Sequence, residues 1–149
     1  MGTVTFMAIV TSSGFAHVRL TVTDIERSKE FYDKVFGWPV AIDASGQVDE
    51  PGVRQSPDRF YGGVVYQTPA GALFGLRPVG TQRFDSEHTG LDHISFMVES
   101  REDLVEAQRA LQDAGVDHGD IKDLPAAGLA ILSFSDPDGI HLELTAPLG

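Results

Sequence analysis

Residues 15–24, FAHVRLTVTD, and residues 91–100, LDHISFMVES, follow the same pattern. Both segments alternate apolar residues with others at a period of two, which is typical of a half-buried β-strand. A histidine is the third residue of each segment, as His17 in the first and His93 in the second. The chain therefore contains an internal duplication in which the two histidines occupy equivalent positions.

A helix is predicted directly after each of these strands. Residues 23–26 (TDIE) and 100–103 (SRED) have the spacing of a helix capping box or a close variant of one. Apolar residues then recur at helical spacing. Gly37 and Gly115 follow at the positions where left-handed helix C-caps belong. Strand and helix thus repeat together.

The second parts of the two halves also correspond. Residues 68–71 (TPAG) match residues 136–139 (DPDG), each a turn tetrapeptide between two predicted strands. Each half is therefore expected to run strand, helix, strand, strand, strand. The predicted fold class is α+β, with two tandem βαβββ units whose curved mixed sheets surround a concave ligand site.

The same correspondence predicts the organisation of the chain. An N-terminal extension precedes a single domain, and a linker separates the two units. The predicted ranges are 1–13 for the extension, 14–149 for the domain, 14–78 for the first unit, 79–90 for the linker and 90–147 for the second unit.

Strand alternation assigns side chains to the cavity face of each sheet, because successive residues of a strand point to opposite faces. The apolar residues of each strand should pack against the helices, and the residues between them should face the cavity. The predicted cavity residues are His17, Arg19 and Thr21; Leu73, Gly75 and Arg77; His93, Ser95 and Met97; and His141, Glu143 and Thr145.

Three of these side chains suit a metal ion. His17, His93 and Glu143 would form a two-histidine, one-carboxylate triad, which is a ligand set for Fe, Mn, Co, Ni or Zn with positions left open for substrate. A single histidine or glutamate on a strand is more often structural. The placement of all three in equivalent phases of a duplicated unit favours a site for one divalent metal ion.

Other cavity residues are candidates for binding and proton transfer. His141 is the best candidate for proton transfer because it lies two residues from Glu143 on the same face, although a place at the rim is the simpler interpretation. Arg19 and Arg77 are candidates to bind a substrate carboxylate or phosphate, or to offset acidic neighbours. Ser95 is a further candidate for contact with substrate.

The sequence resembles the vicinal oxygen chelate superfamily, which includes glyoxalases, extradiol dioxygenases, fosfomycin-resistance enzymes and bleomycin-resistance proteins. The segments that carry the resemblance are residues 17–24 (HVRLTVTD), 90–94 (GLDHI) and 136–143 (DPDGIHLE). The resemblance implies a paired βαβββ fold, a homodimer, and a metal that binds two neighbouring oxygen atoms of a small substrate. His17, His93 and Glu143 fall on metal positions of that family.

The chain departs from the pattern of the better-known members. By the repeat, the fourth ligand of a glyoxalase would fall on Gly75, which can neither ligate a metal nor move a proton. The tyrosine expected of an extradiol dioxygenase before the Asp-Pro turn is Ser133. Neither of these two activities fits the sequence cleanly.

Two classes of function therefore remain open. The first is a metal-dependent enzyme with lyase, isomerase, oxygenase or addition chemistry, and the second is a non-catalytic protein that sequesters a drug or metabolite. A third and weaker option is a degenerate enzyme that has kept its metal and lost its chemistry. Gly75 and Ser133 favour the second class slightly, whereas the complete triad favours the first.

Composition excludes several other functions. The chain has no cysteine, which excludes disulfides and thiolate metal sites. Its net charge of −11 disfavours nucleic acid and anionic membranes as partners. No apolar run approaches the roughly 20 residues of a membrane-spanning helix. No secretory signal is recognisable, so a cytoplasmic location is expected.

Overall fold

The computed structural model describes residues 7–149, so residues 1–6 of the predicted N-terminal extension lie outside the described part. Two α-helices and eight strands make up the fold of residues 7–149. In chain order they are β1 (His17–Thr21), α1 (Ile25–Val35), β2 (Val40–Asp43), β3 (Val64–Gln67), β4 (Leu73–Arg77), β5 (Ile94–Met97), α2 (Arg101–Asp113), β6 (Lys122–Leu124), β7 (Leu129–Ser135) and β8 (His141–Pro147).

The strands form two four-stranded mixed sheets with the same topology. The first has the order β1-β4-β3-β2 and the second the order β5-β8-β7-β6. In each sheet the strand before the helix pairs in parallel with the last strand, and the other neighbours are antiparallel. The predicted pair of βαβββ units is confirmed.

The helices within residues 7–149 have 11 and 13 residues. Both are too short to cross the hydrocarbon core of a bilayer, which needs about 20 residues.

The structure confirms the predicted N-terminal cap of α2 and corrects that of α1. Ser100 and Asp103 form the predicted capping box of α2. The N-cap of α1, however, is Asp24 rather than Thr23, since the Asp24 side chain accepts a hydrogen bond from the Arg27 backbone N–H at 3.1 Å. Thr23 instead bonds to Asp138 of the second unit. The predicted N-cap of α1 is therefore shifted by one residue, and Thr23 makes a long-range contact instead of a cap bond.

Aromatic side chains join the two units. Phe96 of β5 packs between Phe36, which follows α1, and Phe74 of β4, with ring centroids 4.7 Å and 5.9 Å from its own. Phe134 of β7 lies 6.5 Å from Phe31 of α1. Both units therefore contribute to one continuous apolar core, and it is the apolar faces of the sheets that meet there.

A buried polar contact also links the units. The Tyr32 hydroxyl of α1 donates to Asp136 Oδ2 at 2.9 Å, while Asp136 Oδ1 accepts the backbone N–H groups of Asp138 and Ile140, both at 2.9 Å. Burial raises the pKa of the Tyr32 phenol well above its ordinary value, and the adjacent Asp136 carboxylate raises it further. Burial also raises the pKa of Asp136, although its three hydrogen-bond donors partly oppose the shift.

Replacing Tyr32 with phenylalanine should destabilise the protein by about 1–3 kcal/mol, because a buried carboxylate oxygen loses its donor. An Asp136 with a raised pKa favours the folded state below the ordinary aspartate pKa, and this contribution is lost as the pH rises through the raised value. Without the Tyr32 donor the pKa of Asp136 rises further. The deficit of Tyr32→Phe should therefore grow as the pH rises above the ordinary aspartate pKa, as measured by urea unfolding at several pH values.

Tyr66→Phe is the matched control. The Tyr66 hydroxyl donates to Asp33, whose side chain is 40% exposed and can regain hydrogen bonds from water. We expect a loss of less than about 1 kcal/mol. Equal losses in the two variants at every pH would contradict the role assigned to the Tyr32–Asp136 bond.

Candidate functional site

The second sheet carries an open cavity of about 470 Å³ on the face opposite its apolar core. Residues of β7 and β8 form its floor, and residues before β5 and after α2 form its walls. The lining residues are Asp92, His93, Asp117, His118, Gly119, Ser133, Phe134, Ser135, His141, Leu142 and Glu143. Three predicted site residues, His93, His141 and Glu143, thus share one cavity.

His93 and Glu143, two of the predicted metal ligands, lie next to each other. His93 Nε2 lies 3.7 Å from Glu143 Oε1, and the two side chains are 44% and 15% exposed. His93 Nδ1 lies 2.6 Å from Asp92 Oδ1, and because a carboxylate can only accept, Nδ1 must carry the proton. This leaves Nε2 free to bind a metal, which is the usual arrangement of a ligating histidine.

A short chain of hydroxyl groups supports the carboxylate. Thr145 Oγ1 donates to Glu143 Oε1 at 3.2 Å, and Ser95 is hydrogen-bonded to Thr145. Ser95 and Glu143 are register partners of β5 and β8, so the pairing of these strands fixes their positions. The donor set and its supporting bonds fit a divalent cation of the kind predicted from the sequence.

His17 does not join this pair within one chain. Within residues 7–149 no three histidine or acidic side chains lie close enough together to hold a metal ion. The reason is the way the units pack. Phe74 and Phe96 meet in the core between the sheets, so the strand residues that alternate with them point away from that core. His17 and His93 therefore lie on faces that do not converge.

The first sheet has its own polar face, formed by β1 and β4. Arg19 pairs in register with Gly75, and Thr21 pairs with Arg77. The guanidinium carbons of Arg77 and Arg19 lie 4.1 Å and 5.5 Å from the ring centroid of Tyr61, which comes from the β2–β3 loop (residues 44–63). The two predicted substrate-binding arginines are thus brought together.

The family model of the Glyoxalase/Bleomycin resistance protein/Dioxygenase superfamily matches residues 14–144. The chain belongs to this superfamily. The resemblance noted in the sequence is confirmed, and the eight-stranded architecture is the one expected for a superfamily member.

Individual relatives agree with this assignment. A glyoxylase/bleomycin resistance protein/dioxygenase domain from Frankia sp. EAN1pec is 30% identical, with a TM-score of 0.73 over 92% of this chain and 99% of that one. YwkD of Bacillus subtilis is 28% identical over 86% of this chain and 92% of its own length. A point mutant of the fosfomycin resistance protein FosX from Listeria monocytogenes, complexed with Mn(II) and 1S,2S-dihydroxypropylphosphonic acid, shares the fold at 20% identity. Its TM-score is 0.69, over 92% of this chain and 94% of the FosX chain.

Sequence reasoning missed some cavity residues of this superfamily member. Asp92 was not recognised as the partner of His93, although it directly precedes it in the sequence. His118 also lines the cavity, with Nδ1 and Nε2 within 2.8 Å of Gly119 O and 2.7 Å of Gln112 Oε1. Its position depends on the loop after α2, for which strand periodicity gives no signal.

The remaining candidate, His141, lies at the cavity beside the linker. Its ring meets Phe84 edge-on, with the centroids 5.6 Å apart, and its side chain is exposed to the open space of the cavity. An imidazole in this position can reach a ligand in the cavity.

Proposed function

We propose that this protein is a divalent-metal-dependent enzyme acting on a small molecule with two neighbouring oxygen atoms. The ligands in the proposal are His93 and Glu143 of one chain and His17. The observation that carries it is the pair His93 Nε2 and Glu143 Oε1, 3.7 Å apart at an open cavity, with the other ring nitrogen of His93 held by Asp92.

We infer that His17 comes from a second copy of the chain. The polar faces of both sheets point outward from the shared core, so a single chain presents two half-sites. β1 and β5 are both edge strands. Their cavity-side residues are exposed to solvent, and Met97 of β5 is 90% exposed. A twofold dimer that places β1 of one copy beside β5 of the other would complete two equivalent sites. It would also cover edges that are otherwise open to uncontrolled pairing.

The residues have distinct roles in this proposal. A bound cation would supply positive charge to the two substrate oxygens as negative charge develops on them. His141 would give or take a proton at the substrate, and Ser95 and Thr145 would hold Glu143 in its ligating orientation. The FosX ligand, a phosphonic acid with hydroxyl groups on neighbouring carbons, supports a substrate with vicinal oxygens.

The metal content of purified protein tests the proposal. Protein stripped with a chelator, reloaded with Mn²⁺ and freed of excess by gel filtration should hold about one metal ion per chain by elemental analysis. His93→Ala should lose at least about 90% of this metal, because two remaining ligands rarely retain a divalent ion. His88→Ala, which removes a histidine from the exposed linker, should keep it.

Two results would oppose the proposal. Equal metal content in wild type and His93→Ala would show that the ion is bound elsewhere. A wild type that takes up neither Mn²⁺, Zn²⁺, Ni²⁺, Co²⁺ nor Fe²⁺ would favour the alternative of a metal-free, sequestering binding protein, with which Gly75 is also compatible.

A further inference from the structure

Two arginine side chains converge on one aromatic ring beside the proposed metal half-site. The Arg77 guanidinium carbon lies 4.1 Å from the Tyr61 ring centroid, which is a stacking distance, and that of Arg19 lies 5.5 Å from the same centroid. Stacking occupies the flat face of a guanidinium and leaves its in-plane N–H donors available to a ligand.

Arg19 and Arg77 form no ion pair with a carboxylate in residues 7–149, whereas five other cationic side chains do. These five are Arg27, Lys29, Arg54, Arg59 and Arg101. Arg19 and Arg77 thus share one aromatic ring with no carboxylate ion pair to offset their charges.

Arg77 also carries an unused donor. Its Nε atom is buried without a hydrogen-bond partner in the described chain. A buried donor left unsatisfied costs about 1–3 kcal/mol, and more when it is charged. Two like charges around one ring also oppose each other, so an anion bound by their terminal N–H groups would offset the repulsion.

The backbone that carries Tyr61 has an unusual conformation. Phe60 and Tyr61 both adopt left-handed backbone conformations, with φ of 50° and 56°, which non-glycine residues seldom do. Such strain persists where the surroundings determine the geometry, and it is concentrated at ligand-binding sites. On the other side Arg19 packs over Gly75, where a Cβ atom would be in ordinary van der Waals contact, 3.5 Å from Arg19 Cγ and 3.6 Å from Arg19 Nε.

We propose that Arg19 and Arg77, braced by Tyr61, bind an anionic oxygen group of the substrate, either a carboxylate or a phosphoryl group. Arg19 packs over Gly75, the position at which a glyoxalase would have its fourth metal ligand. The assignment of this anion to the substrate rests on the proposed function, while the anion site itself lies within one chain.

The short distance between Arg19 and His17 limits where the acidic group can lie in the substrate. His17 and Arg19 are two residues apart on the same face of β1, so their Cα atoms are separated by about 7 Å. A molecule that places its vicinal oxygens at His17 must therefore carry its acidic group only a few bonds away. A small hydroxy or oxo acid, or its phosphorylated or phosphonate counterpart, meets this requirement.

Anion titrations of chelator-treated protein test the proposal without any metal. Wild type, Arg19→Gln and Arg77→Gln are titrated with inorganic phosphate and with malonate, and binding is followed by calorimetry and by the NMR signals of the arginine Nε–H groups. We expect saturable binding in wild type, at least about tenfold weaker in either variant, since each loses charged hydrogen bonds. Which of the two anions binds more tightly distinguishes a phosphoryl group from a carboxylate.

Arg109→Gln is the control because it removes the same charge from an exposed position on α2. Its affinity for both anions should equal that of wild type. The proposal is overturned if wild type binds neither anion or if Arg109→Gln weakens binding as much as the other two. If Arg77→Gln fails to fold, the Arg19→Gln variant still tests the proposal, because Arg19 is exposed. Anion binding in a protein that takes up no metal would leave this site standing and refute the metal proposal.

Discussion

Mixing His17→Ala protein with His93→Ala protein should restore metal binding that neither variant has alone. If each site takes His17 from one copy and His93 with Glu143 from the other, a mixed dimer contains one intact site and one that lacks both histidines. Random exchange of equal amounts makes about half of the dimers mixed, so about one quarter of the sites should bind metal. Elemental analysis after co-refolding measures this recovery.

The expectation follows from the direction in which the sheets face. Phe74 and Phe96 lie 5.9 Å apart in the core, so the alternating residues that include His17 and His93 lie on the outer sides of the two sheets. Each variant refolded alone should stay empty. Recovery of no metal in the mixture, with intact wild-type binding under the same conditions, would show that one chain assembles its own site and that the dimer proposal is wrong.

Strand periodicity was sufficient to predict the faces of individual strands. Leu20 and Phe74 alternate with Arg19 and Gly75, and the former pair is buried at 4% and 2% exposure. The reason is that burial of one face imposes a period of two on any half-buried strand. The duplicated histidines and the paired turns then gave the order of strands within each unit, because local connections restrict the topology.

The relative placement of the two units was not predictable in the same way. Duplication suggested that a pseudo-twofold axis would bring His17 and His93 to one point, but within a single chain only His93 and Glu143 come together. Periodicity shows which face of a strand is apolar and does not show which other element covers it. Contacts such as Phe36–Phe96 decide that question, and they join residues 60 positions apart.

The structure of the β2–β3 loop is a second feature that the sequence did not predict. Its sequence is largely polar, yet it contains 3₁₀ turns at Ser45–Gln47 and Val53–Gln55 and a kinked segment at Pro57–Gly62, in which Phe60 and Tyr61 are left-handed. Val53 within it is buried to 1% exposure. The ordering depends on individual close contacts with the sheet, for which a polar composition gives no signal. It is this loop that brings Tyr61 to the arginines.

Gly63→Ala should cause a large loss of stability and detach this loop from the sheet. A Cβ atom at Gly63 would lie 1.9 Å from the backbone oxygen of Leu76 and 3.0 Å from that of Phe60. Neither atom belongs to a flexible side chain, so the backbone must move. Overpacking costs about 1–3 kcal/mol and occasionally more, and a clash with backbone atoms should lie at the upper end of that range, which urea unfolding would measure as a lower midpoint.

Gly46→Ala is the matched control, because a Cβ atom there meets nothing within 4 Å. It should leave the free energy of unfolding within about 0.5 kcal/mol of wild type. Since Gly63 follows the segment that carries Tyr61, the folded fraction of Gly63→Ala should also bind phosphate more weakly, as the ring no longer braces Arg77. Equal stability of the two alanine variants would mean that the loop does not rest on β4, and the position of Tyr61 over the arginines would then lose its structural basis.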